Sequence, residues 1–224
     1  MKKQIQISLP ESYGDIDLKK YLDIQKELIN YGDDEDAQIA ILITYLCGLD
    51  VKYISGLNKK DFDILKDALQ KFLEKTDFPL QRFITIDGVE YGFEPNLSNI
   101  SYGAYVDITK YDTIAIDTNW AKIMSILYRP VTKKVRDTYE IQPYNGIIDD
   151  ELFLTVPMNV HFGAYNFFFL LSRDLQTSIL NYMKGMDLPP NIKRILERSG
   201  EVMHQLSNLQ TTIYPESKKW LKNH

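Results

Sequence analysis

The chain has 224 residues, 44% of them hydrophobic and 25% charged, with a formal net charge of −5. Apolar and aromatic residues run through its whole length, which excludes a disordered polypeptide, and a chain of this size can bury a core without covalent staples. The acidic balance argues against a general nucleic-acid surface, and a single cysteine, Cys47, excludes an internal disulfide framework.

Residues 4–9 alternate as Gln-Ile-Gln-Ile-Ser-Leu, the period of a half-buried strand, and Pro10 and Gly14 close it. A helix is expected from Leu18 to Asn30, stopped at Tyr31-Gly32. The acids Asp33 to Asp36 lack the alternating ligands and glycine turn of a calcium loop; they read as acid at a helix N-terminus, complementing its dipole. The next helix, Ala37 to Leu46, is apolar nearly all round and is therefore central; Gly48 ends it. A short turn, Val51–Ser55, leads to Asn58, which can cap a helix over 59–75. In it Phe62, Leu65, Leu69, Phe72 and Leu73 form one stripe, which reads as core.

Two β-rich runs, Arg82–Ile86 and Val89–Phe93, flank Asp87-Gly88, the strongest short-range hairpin signal in the chain. Ser98 or Ser101 can cap a helix from Tyr102 to about Lys110. A helix is expected over Asn119–Tyr128, ended by Pro130. The segment 131–157 has no helical period: Tyr139–Ile141 and Leu152–Val156 are candidate short strands, and Lys133–Asp137 and Asn145–Asp150 read as exposed loops. Pro157 suits the first turn of a long aromatic-rich helix reaching Met183 or Lys184. Leu188-Pro189-Pro190 breaks the chain before a last helix, about 191–209, and the tail from Pro215 reads as mobile. The apolar stretch Val160–Leu171 is interrupted by His161, Gly163 and Asn166 and is too short for a membrane span, which needs roughly 20 apolar residues.

Together these patterns predict an α+β, predominantly helical fold, with a small antiparallel sheet (the N-terminal strand plus the Asp87-Gly88 hairpin) packed on a helical body. One domain over 1–224 is expected, divisible into a mixed part, 1–156, a C-terminal helical hairpin, 157–214, and a tail, 215–224.

The chain contains no phosphate-binding glycine loop, no Cys or His pair at metal spacing and no nucleophile elbow. Cys47, His161 and His204 read as packed side chains, and two small basic clusters, Lys133/Lys134/Arg136 and Lys218/Lys219/Lys222, as solvated charge. No catalytic residue, cofactor or metal is expected. The more informative feature is 15 tyrosines, because tyrosine joins a large apolar body to a polar tip and suits surfaces buried on assembly. Tyr91, Phe93, Tyr102, Tyr105 and Trp220 are the candidate partner-contact residues; the competing reading is that the rings near the hairpin simply pack it onto adjacent helices.

The stretch Leu46-Cys-Gly-Leu-Asp-Val-Lys-Tyr-Ile-Ser-Gly-Leu-Asn-Lys-Lys-Asp61, running into Phe62–Phe72, resembles the helical part of phage tail assembly chaperones. Ile86-Asp-Gly-Val-Glu-Tyr-Gly-Phe-Glu-Pro95, Ile100-Ser-Tyr-Gly-Ala-Tyr-Val-Asp-Ile-Thr-Lys-Tyr111, Leu127-Tyr-Arg-Pro130 and Ile141-Gln-Pro-Tyr144 are similar to runs in phage virion-module proteins. The resemblance implies a non-enzymatic protein acting through protein–protein contacts on other phage structural proteins, in the host cytoplasm or the virion. Self-association is a further expectation, and charge and hydropathy favour neither a nucleic-acid nor a membrane partner. A tail assembly chaperone or morphogenesis factor is the first expectation. A structural virion component, as connector or cargo, is the second, and an enzyme whose site is invisible in sequence the third.

Overall fold

The computed structural model describes residues 7–32, 34–111 and 116–184, with side chains through Leu171. The fold is α+β and predominantly helical, with a small antiparallel sheet.

Helices α1 (Leu18–Ile29), α2 (Glu35–Cys47), α3 (Val51–Ile54) and α4 (Lys59–Leu73) form the first half of the body. Each begins on a side-chain cap that accepts a backbone N–H of the first turn: Asp17, Asp34, Asp50 and Asn58 in turn. The acidic run thus does what its position implied, with Asp34 as cap and Glu35 and Asp36 in the first turn. Gly48 ends α2 at φ 66°, a left-handed conformation that glycine adopts without a Cβ penalty. Ile39, Ile41, Ile43 and Leu46 of α2 are buried, and Ile39, Ile43 and Leu46 share one core with Leu69 and Phe72 of α4.

The sheet has the order β1-β2-β3-β4, from β1 (Phe83–Ile86), β2 (Val89–Phe93), β3 (Tyr128–Val135) and β4 (Thr138–Ile141), every neighbour antiparallel. Asp87 (φ 49°) and Gly88 (φ 78°) make the two-residue turn between β1 and β2. Between β2 and β3 lie α5 (Tyr102–Lys110) and α6 (Trp120–Leu127). After β4 come α7 (Asp150–Leu154) and the 27-residue α8 (Met158–Lys184). Ile84, Ile86, Phe93 and Tyr128 turn one sheet face into the core. There the Phe93 ring meets Phe167 and Phe168 of α8, and Tyr91 and Tyr128 meet Phe153 of α7.

The other face is closed by β4 itself. A register irregularity between Val131 and Lys133 lets the strand bend back over the sheet. The Tyr139 ring then covers Gly92, packs on Phe83 at 4.6 Å between centroids, and its hydroxyl donates to the Phe93 carbonyl at 2.6 Å. A Cβ on Gly92 would lie 2.8 Å from that ring, so glycine is required there.

Several expectations are corrected. Of the proposed N-terminal strand, residues 1–6 lie outside the described residues, and Ile7, Ser8 and Leu9 carry no strand pairing; β3 and β4 complete the sheet instead. The helix over 119–128 stops at Leu127, and Tyr128 already starts β3, so Pro130 sits within a strand. Pro130 is tolerated because its pairing to Tyr91 asks no N–H of it, while its carbonyl accepts from Gln142 N–H at 2.8 Å. Lys133–Asp137 is not a loop but the outer end of β3 and its turn, with Arg136 at φ 54°. The proposed strand Leu152–Val156 is mostly α7, capped by Asp149. The proposed helix over 191–209 and the tail from Pro215 lie outside the described residues.

The start of α8 is core. Met158, Val160, His161, Phe162 and Ala164 are buried, and the chain at 16–18 is strapped to 156–158 by Leu18 N–H to Val156 carbonyl (3.1 Å) and Met158 N–H to Ile16 carbonyl (2.7 Å). Phe162 joins Tyr13, Tyr21 and Phe78 in one aromatic cluster with Phe72.

Candidate protein interface

The five candidate residues separate cleanly. Phe93 is 3% exposed and packed on Tyr128, Phe167 and Phe168, so the expectation of a partner contact there is corrected: it is core. Its position explains this, since alternation along β2 sends Phe93 to the same face as Tyr91, toward α7 and α8. Tyr91 is half-buried, edge-on to Phe153, and its hydroxyl titrates above the ordinary range because of burial, with Asp149 and Asp87 adding to the effect. Trp220 lies outside the described residues. Tyr102 and Tyr105 are 82% and 58% exposed.

Those two tyrosines share one face of α5. Tyr102, Tyr105 and Val106 stand at i, i+3 and i+4, the spacing that makes helix side chains neighbours. Val106 is exposed as well, so the outer face of α5 is apolar while its inner face is also apolar. Ala104 is fully buried, and Ile108 and Tyr111 pack against the core. A helix that is apolar on its solvent side is the informative departure from the usual polar-out pattern.

The helix is held firmly. Ser101 Oγ accepts the Ala104 N–H at 3.3 Å as N-cap. The Tyr144 ring lies against the first turn, where a Cβ on Gly103 would meet it at 3.6 Å, and its hydroxyl donates to Asp107 Oδ2 at 2.5 Å. Burial, then the bond to Asp107 and its charge, raise the Tyr144 hydroxyl to about 12, so it stays a donor at neutral pH. At the C-terminal end the Tyr111 ring is flanked by Lys110 Nζ at 5.2 Å and Lys122 Nζ at 4.9 Å from its centroid. Beside this array Arg129 pairs with Glu94, both largely shielded from solvent, and Glu94 also accepts the Asn96 N–H at 3.1 Å. The surface tyrosines therefore stand on a fixed platform, which lowers the conformational entropy lost when a partner covers them.

Other candidates are less suited to chemistry or binding. Lys134 Nζ is 2.7 Å from Glu90 and sits over the Phe83 ring, and Lys133 is 3.4 Å from Glu140, so the basic cluster on β3 is largely neutralised locally. Lys218, Lys219 and Lys222 lie outside the described residues, as does His204. Cys47 is half-buried, and desolvation raises its thiol above the usual value against the pull of Lys20, which disfavours the thiolate. His161 is fully buried; it approaches the carbonyls of Val156 and Phe153 without a well-formed hydrogen bond from either ring nitrogen. Among the described residues, no three His, Cys, Asp or Glu side chains gather as a metal site requires, and no helix is long and apolar enough to cross a membrane.

No family model, curated protein or solved structure matches this chain.

What sequence reasoning could not separate was core tyrosine from surface tyrosine. The signal that distinguishes them is the helix period: Ala104, Ile108 and Tyr111 already define an inner face of α5, which leaves Tyr102, Tyr105 and Val106 outside.

Proposed function

We propose that this chain is a non-enzymatic binding protein that uses the Tyr102/Tyr105/Val106 face of α5 to hold another protein during phage assembly, as a tail assembly chaperone or morphogenesis factor. The observation that carries the binding role is the exposure of Tyr102 at 82% and Tyr105 at 58% on a helix fixed from behind by Ala104, Ser101 and Tyr144. Rigid amphipathic rings in a cluster are what hot spots are made of. The assignment to phage assembly comes from the resemblance of the 46–72 and 86–144 stretches to proteins of that class. In this reading the partner is a tail or head subunit with an apolar surface of its own, and the work is to keep that surface covered until assembly.

The test is co-expression of the chain with tail and head subunits of a tailed phage. Soluble yield of one of those subunits should rise with the wild-type chain and fall back when Tyr102→Ala and Tyr105→Ala are combined. A subunit yield indifferent to the chain, or to the double substitution, would refute the proposal. Washed particles that carry the chain at stoichiometric copy number would replace the chaperone reading with that of a structural virion component.

A further inference from the structure

A different surface, independent of α5, is the outer edge of the sheet. Among the described residues strand β1 is an edge of the sheet, with β2 as its only strand neighbour. The two-residue turn fixes which of its backbone groups are used. Ile86 and Val89 close the hairpin, and Phe93 N–H donates to the Arg82 carbonyl at 2.9 Å, so even-numbered residues of β1 bond to β2. Phe83 and Thr85 therefore direct their N–H and C=O away from the sheet, and among the described residues neither has a partner for these groups. Natural edges are usually blunted by lysine, proline, a bulge or an overlying element. Phe-Ile-Thr-Ile carries none of the first three, and Thr85 is exposed.

We propose that β1 pairs antiparallel with β1 of a second copy about a two-fold axis at Ile84, joining two four-stranded sheets into one of eight. The register follows from the free groups. Only residues that both point outward can exchange bonds, so Phe83 lies opposite Thr85 of the second copy and Thr85 opposite its Phe83. That satisfies all four outward groups of each strand and places the two Ile84 residues side by side at the non-bonded position. The strand ends select the direction and the partner. Arg82 precedes β1 and Asp87 follows it, both exposed. Antiparallel pairing brings Asp87 of each copy beside Gln81 and Arg82 of the other, whereas parallel pairing would set like charges together. A strand with opposite charges at its two ends is complementary to itself, which singles out a second copy among possible extended segments. Ile84 and Ile86 keep facing the core, so the pairing extends the existing layer without turning any side chain over.

Sedimentation equilibrium of the full chain, at low salt and high-micromolar concentration, should give a reversible dimer that weakens as salt rises. Thr85→Pro removes an outward N–H and leaves the β1–β2 bonds intact, because Thr85 opposite Glu90 is a non-bonded pair. It should abolish the dimer with an unchanged circular dichroism spectrum, and Arg82→Glu should weaken it at least tenfold. Ile84→Cys should give a disulfide-linked dimer on mild oxidation, since Cα atoms in such a pair are about 4.5 Å apart; Thr85→Cys, out of register with itself, should not. A chain that stays monomeric throughout would overturn the proposal. So would a dimer that survives Thr85→Pro, or a dimer that forms only after residues 1–9 are removed, which would mean that the chain's own alternating segment caps this edge.

Discussion

Two glycines placed in helices should respond in opposite directions to the same substitution. Alanine stabilises a helix interior over glycine by about 1 kcal/mol. At Gly163 of α8 the added Cβ would sit 2.4 Å from the Pro79 carbonyl oxygen and 3.1 Å from its carbon, with the Leu80 Cα at 3.4 Å. All three atoms are backbone, so no side-chain rotation relieves the overlap, and α8 must move off the segment that leads into β1. Overpacking of this kind costs roughly 3 kcal/mol, at the upper end of its usual range. Set against the helix gain, Gly163→Ala should lose about 2 kcal/mol, or roughly 4–8 °C in Tm for a chain of this size. At Gly103 of α5 the Cβ would meet the Tyr144 ring at 3.6 Å, an ordinary contact, and φ there is not left-handed. Gly103→Ala should therefore raise stability by about 0.5 kcal/mol, less than the full helix gain because it lies in the first turn. Parallel thermal and urea unfolding of both variants decides the matter. Equal or greater stability for Gly163→Ala would show that Pro79 does not press on α8 as described.

Gly92→Ala should destabilise by about 2 kcal/mol, since its Cβ would lie 2.8 Å from a Tyr139 ring tied down by its hydroxyl and 2.9 Å from Ile141 Cγ2; Tyr139→Ala placed in the same chain should remove the ring's part of that cost and leave the part due to Ile141, which a double-mutant cycle in urea measures. Acid should weaken the fold through His161. Burial lowers its imidazole from 6.5 to about 4, outweighing the carbonyls of Val156 and Phe153 that pull the other way. Between those values the unfolded chain binds the proton and the folded chain does not, so stability is full above pH 6.5 and falls as pH drops toward 4, by about 3 kcal/mol. In His161→Leu the slope of unfolding free energy against pH in that window should be shallower; an unchanged slope would locate the acid response elsewhere. Asp34→Ala should cost about 1 kcal/mol by removing the N-cap of α2, read from the urea midpoint.

Much of the fold is legible in local chemistry. Asp87-Gly88 admits the two positive φ angles of its turn, Asn58 and Ser101 offer oxygens to orphan N–H groups, and the Phe62–Leu73 stripe has the period of a packed helix. The misread places are those where tertiary contacts outvote local pattern. Leu127 and Tyr128 continue the apolar run of α6, yet Tyr128 leaves the helix because its ring fits between Phe93 and Phe153 and its hydroxyl donates to the Gln81 carbonyl at 2.6 Å. Leu152–Val156 is apolar and short, so length could not separate strand from helix; Asp149 as cap, with Asp150 and Glu151 in the first turn, decided for helix. β3 is exposed and largely charged beyond Val131, so it carries no alternation to read, whereas Tyr139–Ile141 of β4 alternates and is legible as a short strand. For the interface, sequence marked a tyrosine-rich region. Which rings face out depended on α5 having its inner face filled by Ala104 and Ile108, a matter of which helices lie beside it.

If the outer face of α5 serves binding as proposed, its tyrosines matter to a partner and not to the fold. The direct measurement is the affinity of the purified chain for a tail or head subunit whose soluble yield rises on co-expression, beside that of the Tyr102→Ala/Tyr105→Ala variant, with the Tm of both. Two exposed hot-spot rings predict a loss of roughly 30-fold or more in affinity with Tm essentially unchanged. Equal affinities, or a Tm lowered by many degrees, would contradict the account.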